Sequence, residues 1–290
     1  GIFDKSLVNL NQTGLSFVYS GITLNTNYLG ALTLVGLIIG CLNILRSQKF
    51  SYRLVYWIFT LSLIFILFST FSRTAIISLL FSSPFLFLAI FKSFSKTIFY
   101  SFGIFFTTLF LVLSLNLQTL FVERFILKTE ADQSDFLTAK ILTSRTETLN
   151  QSFEAAKKGG IFGLGFGVSY GAEFKGLSNN LSLVGYSREK TNSILASIEE
   201  IGLIGTSLYA IFIASVILKL LNALDIADKN QTRFLFITFA GIIALLVISL
   251  AEAFLLSPGS MQLPLLYSFL GAAMGSSRKI IQTKILELKK

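Results

Sequence analysis

Histidine is absent from this 290-residue chain, cysteine occurs once, and only 13% of the residues are charged. Each shortage excludes something. Without histidine, the commonest metal ligand and the commonest general base are both missing. The single Cys41, set inside an apolar run, forbids an intrachain disulfide and a cysteine metal cluster. No cofactor and no metal are therefore expected. Charge at about half the level of soluble domains, beside 53% hydrophobic residues, excludes an ordinary soluble fold. No signal peptide is visible and the chain opens on Gly1, so it reads as a fragment with an upstream part missing.

What the chain has in quantity is apolar length. Several runs approach the ~20 residues that cross a bilayer. The expected fold class is an all-α polytopic integral membrane protein with about seven transmembrane helices and one long external loop containing a helix. The spans fall at 28–45, 54–70, 75–91, 98–117, 201–221, 234–255 and 261–274. This gives an external N-terminal segment (1–27), four transmembrane helices (28–117), the loop (118–190), three more transmembrane helices (191–275) and a basic cytoplasmic tail (276–290).

Charge supplies the orientation. Arg46, Lys49 and Arg53 lie between the first two spans, Lys92 and Lys96 between the third and fourth, and Lys219, Lys229 and Arg233 between the fifth and sixth. Arg278, Lys279, Lys284, Lys289 and Lys290 end the chain. Short basic links stay inside, so the polar 118–190 segment faces out. The net charge of +9 then reflects orientation, and nucleic acid is not an expected partner.

Several polar residues fall on the outer side of this topology. Arg73 is the sole charge in the turn FSTFSRTAIISL. It reads either as a snorkelling anchor or as a functional charge, since an outer arginine opposes the positive-inside bias. Glu252, in SLAEAFLLSPGSM, is either solvated at the interface or part of an outer cavity. Within the loop, residues 144–156 read as a helix, with Leu149, Phe153 and Ala156 at helical spacing, a threonine-rich start and a KKGG stop. The glycine-rich GGIFGLGFGVSYG follows. It lacks the GxGxxG spacing and the Lys-Ser/Thr of a nucleotide loop. It is either a turn returning the helix to the membrane or a backbone wall beside a bound pyrophosphate or sugar.

The fifth span opens with TNSILASIEEIGLIG. Asn192 and Glu199, two helical turns apart, are expected on one face. Gly202-x-x-Gly205 is expected to admit a neighbouring helix. Glu199 and Glu200 are costly against lipid, so at least one is expected to face a polar cavity or an arginine.

Four stretches in this order, GITLNTNYLGALTL, SRTAIISLL, SRTETLNQSFEAAKKGGIFGLGFG and TNSILASIEEIGLIG, resemble the O-antigen ligase family, with its related surface-polysaccharide polymerases and bacterial oligosaccharyltransferases. The last stretch fits the family's H-[NSQ]-x9-G-x-x-G pattern from Asn192 through Gly202 to Gly205, except that Thr191 stands where the ligases have histidine. The family usually has more than seven spans, in keeping with a missing N-terminal part. The resemblance implies a metal-independent glycosyltransferase of the bacterial inner membrane, active on the periplasmic face. The donor implied is a glycan on undecaprenyl pyrophosphate, and the acceptor a glycan, lipid A core or protein, with membrane lipid around it. It implies that Arg73 and Arg145 stabilise the departing pyrophosphate and that Asn192 positions an oxygen. Thr191 occupies the histidine's place, and Glu199 becomes the substitute base. Threonine accepts no proton at neutral pH, so the chain is a polymerase-type member with another base, a member relying on arginine alone, or one that has lost activity. Two other classes stand beside this: a transporter of a small anion or sugar, and a non-catalytic binder of lipid-linked glycan. No inverted repeat and no pair of broken helices is visible to favour the transporter.

Overall fold

The computed structural model describes residues 26–70, 72–91, 137–168, 170, 190–257 and 260–289. Every regular element among them is helical: α1 (Thr26–Arg46), α2 (Phe50–Ser69), α3 (Arg73–Phe91), α4 (Leu137–Gly159), α5 (Ser193–Leu224), α6 (Lys229–Ser249) and α7 (Gln262–Leu288). Five of them, α1, α2, α3, α5 and α6, are long and apolar enough to cross a membrane. The expected all-α polytopic membrane fold is what these residues form. The expected span at 98–117 lies outside the described residues. α7 continues past the expected 261–274 into its basic half, and α6 stops at Ser249, short of the expected 255.

The helices divide into two units. One holds α1, α2, α3, the later part of α5 from Val216, α6, and α7 from Pro264. Small residues set its crossings, as membrane helices need when lipid offers no hydrophobic drive. A Cβ on Gly30 would meet Ser72 Cβ at 2.7 Å, and one on Gly241 would meet the Phe269 ring at 2.6 Å. α6 is the buried centre of this unit, with Leu235, Ile237, Ile242, Leu245 and Ile248 all inside. Phe239 on it meets Phe85 of α3 edge to face at 4.6 Å. α2 is the opposite case. It is apolar all round, yet only Thr60 and Leu67 are buried, which is the signature of a lipid-facing helix. α3 stays continuous through Pro84, which has no N–H for Leu80 O. Ser83 Oγ donates to that carbonyl instead, at 2.9 Å.

The second unit holds α4, the loop after it, the first part of α5 and the Ser249–Leu263 segment. Here one expectation needs correcting. α4 begins at Leu137, ahead of the expected 144, because Leu137 and Ile141 carry helical apolar spacing upstream. Its buried face is built of small residues. Leu149 and Phe153 are exposed, while Ser152, Ala155, Ala156 and Gly159 are buried. Small side chains won because this face meets backbone: a Cβ on Gly159 would stand 2.3 Å from Ile198 O.

Candidate functional site

The site is built at a break in α5. Gly202 has φ 71° and ψ −178°, a conformation reserved for glycine, so the helix running from Ser193 is interrupted one turn before Gly205. A break strands carbonyls before it and amides after it, and in a membrane these must be satisfied by protein. The glycine-rich loop does so. Leu164 N donates to Glu199 O (2.8 Å) and Gly165 N to Glu200 O (3.0 Å). In return Leu203 N donates to Gly160 O (3.0 Å) and Ile204 N to Ile161 O (3.2 Å). The fit leaves no room for side chains: a Cβ would lie 2.2 Å from Ile161 O at Gly202 and 2.3 Å from Glu200 O at Gly163, where φ is 82°. Gly202 therefore receives a loop, not the neighbouring helix that its GxxG spacing suggests.

Lys190 closes this lock from below. Its ammonium donates to Glu200 Oε1 at 2.6 Å and to Val168 O at 2.9 Å, and lies 3.3 Å from Glu199 Oε2. The remaining carboxylate oxygens accept backbone N–H groups, Glu199 Oε1 from Tyr170 at 2.7 Å and Glu200 Oε2 from Gly167 at 2.9 Å. Side-chain exposure is 2% for Lys190 and 1% for each glutamate, so this is a buried ion-pair cluster with every carboxylate oxygen partnered. Both glutamates thus face a polar partner, as their cost against lipid demanded, and the cation described beside them is Lys190. Although adjacent on the helix, they converge because Lys190 reaches between them. Chemically, the arrangement holds the loop. Glu199 is committed to Lys190 and the Tyr170 amide.

The mouth of α5 is pinned as well. Asn192 is its N-cap: Oδ1 accepts Ile194 N (2.8 Å) and Leu195 N (3.1 Å), and Nδ2 donates to Leu250 O (2.8 Å). As a cap it precedes the helix, so a helical face shared with Glu199 is not what relates the two. Ser193 Oγ donates to Glu252 O (2.7 Å) and accepts from Phe254 N (2.9 Å). Glu252 itself lies in the turn beyond α6 and does not close that helix. Thr191 Oγ1 is buried and has no hydrogen-bond partner among the described residues. Arg73 is half-buried at the first position of α3. Arg145 lies in α4, and its side chain falls outside the described residues.

Sequence reasoning missed Lys190, and it read Gly159 only as part of a helix stop and Gly163 only as part of a glycine-rich turn or backbone wall. The signal for the lysine was a cation closing the SREK end of the polar stretch, just before a helix carrying two carboxylates. For the glycines it was a second glycine cluster matching the interruption at Gly202.

A helical membrane protein with a loop locked into a broken span is the class these features define. Residues 57–210, over half of the chain, match the O-antigen ligase family, and the chain belongs to that family. The match runs from α2 to α5 and takes in Arg73, Arg145, the glycine-rich loop, Thr191, Asn192 and the break. Membership supports membrane glycosyl transfer as the general activity. A comparison with curated proteins found no match.

Proposed function

We propose that the protein transfers a glycan from undecaprenyl pyrophosphate to an acceptor hydroxyl on the periplasmic face of the bacterial inner membrane, as a ligase or polymerase. The family match over 57–210 carries this reading. The acceptor oxygen bonds to the anomeric carbon as the bond to pyrophosphate breaks, and negative charge grows on the leaving group. Arg73 and Arg145 stabilise that charge, because guanidinium groups bind phosphate oxygens bidentately and stay ionised. Thr191, whose buried hydroxyl has no described partner, is the group at the α5 mouth with hydrogen-bonding capacity to offer an acceptor. Asn192 sets the geometry of that mouth. Glu199 acts by holding the glycine-rich loop rather than as the base, since both its oxygens are engaged.

The transporter reading gains a broken helix but loses by what fills it. Discontinuous transporter helices offer freed backbone groups to their cargo. Here four such groups are taken by the loop. Expression of the gene with its glycan locus in a cell lacking its own ligase and polymerase tests the proposal. Extended or transferred surface glycan is expected on a gel, and it is expected to vanish in Arg73→Ala and Arg145→Ala while the protein remains in the membrane. Undiminished product in both variants would sink it.

A further inference from the structure

The helices of the first unit line an open cavity of about 670 Å³ where α1 passes to α2, α6 begins, and α7 leaves its apolar half. None of the residues assigned above to glycosyl transfer lines it. Arg46, Arg53, Arg233 and Lys279 do, with no carboxylate among the described lining residues. Asp228, close in sequence to this wall, is occupied in capping α6, its Oδ1 accepting the Asn230 and Gln231 amides at 2.8 Å each. Arg53 Nη2 donates to Ser47 O at 2.9 Å. Arg233 Nε is buried with no hydrogen-bond partner among the described residues. Four like charges around one concavity repel one another, and low-dielectric walls focus their potential on whatever enters. A buried guanidinium N–H without an acceptor is a donor awaiting one.

The place decides which anion. α1, α2 and α6 are membrane-crossing helices, and the cavity sits at their ends, at a membrane–water boundary. Phe234 and Ile280 continue its wall in apolar form. A cationic rim above an apolar wall matches an amphiphile, and basic pockets between membrane helices suit lipid headgroups. We propose that this cavity binds the phosphate headgroup of an anionic membrane lipid, with Arg233 as its central contact and an acyl chain along Phe234 and Ile280. The site is independent of the glycosyl-transfer reading.

The test is native mass spectrometry on the purified full chain in neutral detergent, titrated with phosphatidylglycerol, phosphatidylcholine or inorganic phosphate. Saturable retention of phosphatidylglycerol is expected, with phosphatidylcholine bound far more weakly and an excess of inorganic phosphate failing to displace the lipid. The double variant Arg233→Gln/Lys279→Gln should weaken phosphatidylglycerol binding about 30-fold, at roughly fivefold per basic residue near a membrane surface. Lys284→Gln, exposed and paired with Glu287, should leave it unchanged. Arg233→Lys keeps the charge without the Nε donor and should bind several-fold more weakly, which keeps the test open if the double variant fails to fold. Equal phosphatidylglycerol binding by wild type and both Arg233 variants would overturn the site. Equal retention of phosphatidylcholine would overturn its selectivity for anions. Displacement by inorganic phosphate would make it a free-anion site and overturn the lipid assignment.

Discussion

Replacing Lys190 with methionine keeps most of the aliphatic length of the side chain and removes only the ammonium. The consequences follow from what that ammonium touches. Glu200 Oε1 loses a 2.6 Å partner, Glu199 Oε2 a cation at 3.3 Å, and Val168 O a 2.9 Å donor, all in surroundings where the side chains are 1–2% exposed. Deleting one partner of a buried ion pair costs about 3–5 kcal/mol, because the remaining charge stays buried. That cost falls on the docking of the glycine-rich loop, whose other described attachments to α5 are the backbone bonds at Leu164, Gly165, Leu203 and Ile204 and the Gly167 and Tyr170 amides on the two carboxylates. At 1.4 kcal/mol per factor of ten, the opened population should rise by about two to three and a half orders of magnitude. Hydrogen exchange at the Leu164, Gly165, Leu203 and Ile204 amides in the purified protein reads this directly, since exchange follows local opening. Protection should fall by that factor in Lys190→Met and return in large part in Lys190→Met/Glu199→Gln/Glu200→Gln, where the stranded charges are gone. Unchanged exchange at all four amides in a folded Lys190→Met protein would refute the lock.

Gly202→Ala should destabilise by more than about 3 kcal/mol, combining glycine-only backbone with a Cβ placed 2.2 Å from Ile161 O. Gly271→Ala, where a Cβ meets nothing within 4 Å in the middle of α7, should be neutral or stabilising by about 0.5–1 kcal/mol. Thermal unfolding in detergent compares the two, and equal midpoints would contradict the account of the break. Asn192→Ala should cost about 1 kcal/mol as a lost cap, whereas Asn192→Asp keeps the cap and loses only the donor to Leu250 O. If glycan transfer survives in Asn192→Asp, Asn192 works as a cap, and if it disappears while stability holds, the amide nitrogen has a direct role. Thr191→Val removes a buried hydroxyl with no described partner, so stability should hold or rise while transfer falls. A loss of stability with transfer intact would reverse that assignment.

The membrane fold was legible because composition alone carries it: apolar runs of bilayer length at α1, α2, α3, α5 and α6 need no tertiary information. The KKGG stop of α4 was legible for the same reason, being local helix-end chemistry. The start of α4 and its buried face were not. Periodicity marks the large residues Leu149 and Phe153, whereas the buried face is Ser152, Ala155 and Gly159, the last of them set against the backbone at Ile198. Gly202 was visible as a glycine but not as a break, since a helix-packing glycine and a helix-breaking one look alike until the loop that satisfies the freed groups is seen. Glu199 and Glu200 announced a buried polar partner through their cost in an apolar helix. Lys190 could not be named as that partner by spacing, because it reaches them from outside the helix.

The most direct test of the central claim is surface glycan on a gel from cells lacking their own ligase and polymerase, carrying the native glycan locus and this gene as wild type, Arg73→Ala or Thr191→His. Lipid-linked precursor is measured in the same cells. A ladder or transferred band from the wild type and its loss in Arg73→Ala are expected, with transfer in the wild type showing that this member needs no histidine. Precursor present with no product from either wild type or Thr191→His would contradict glycosyl transfer.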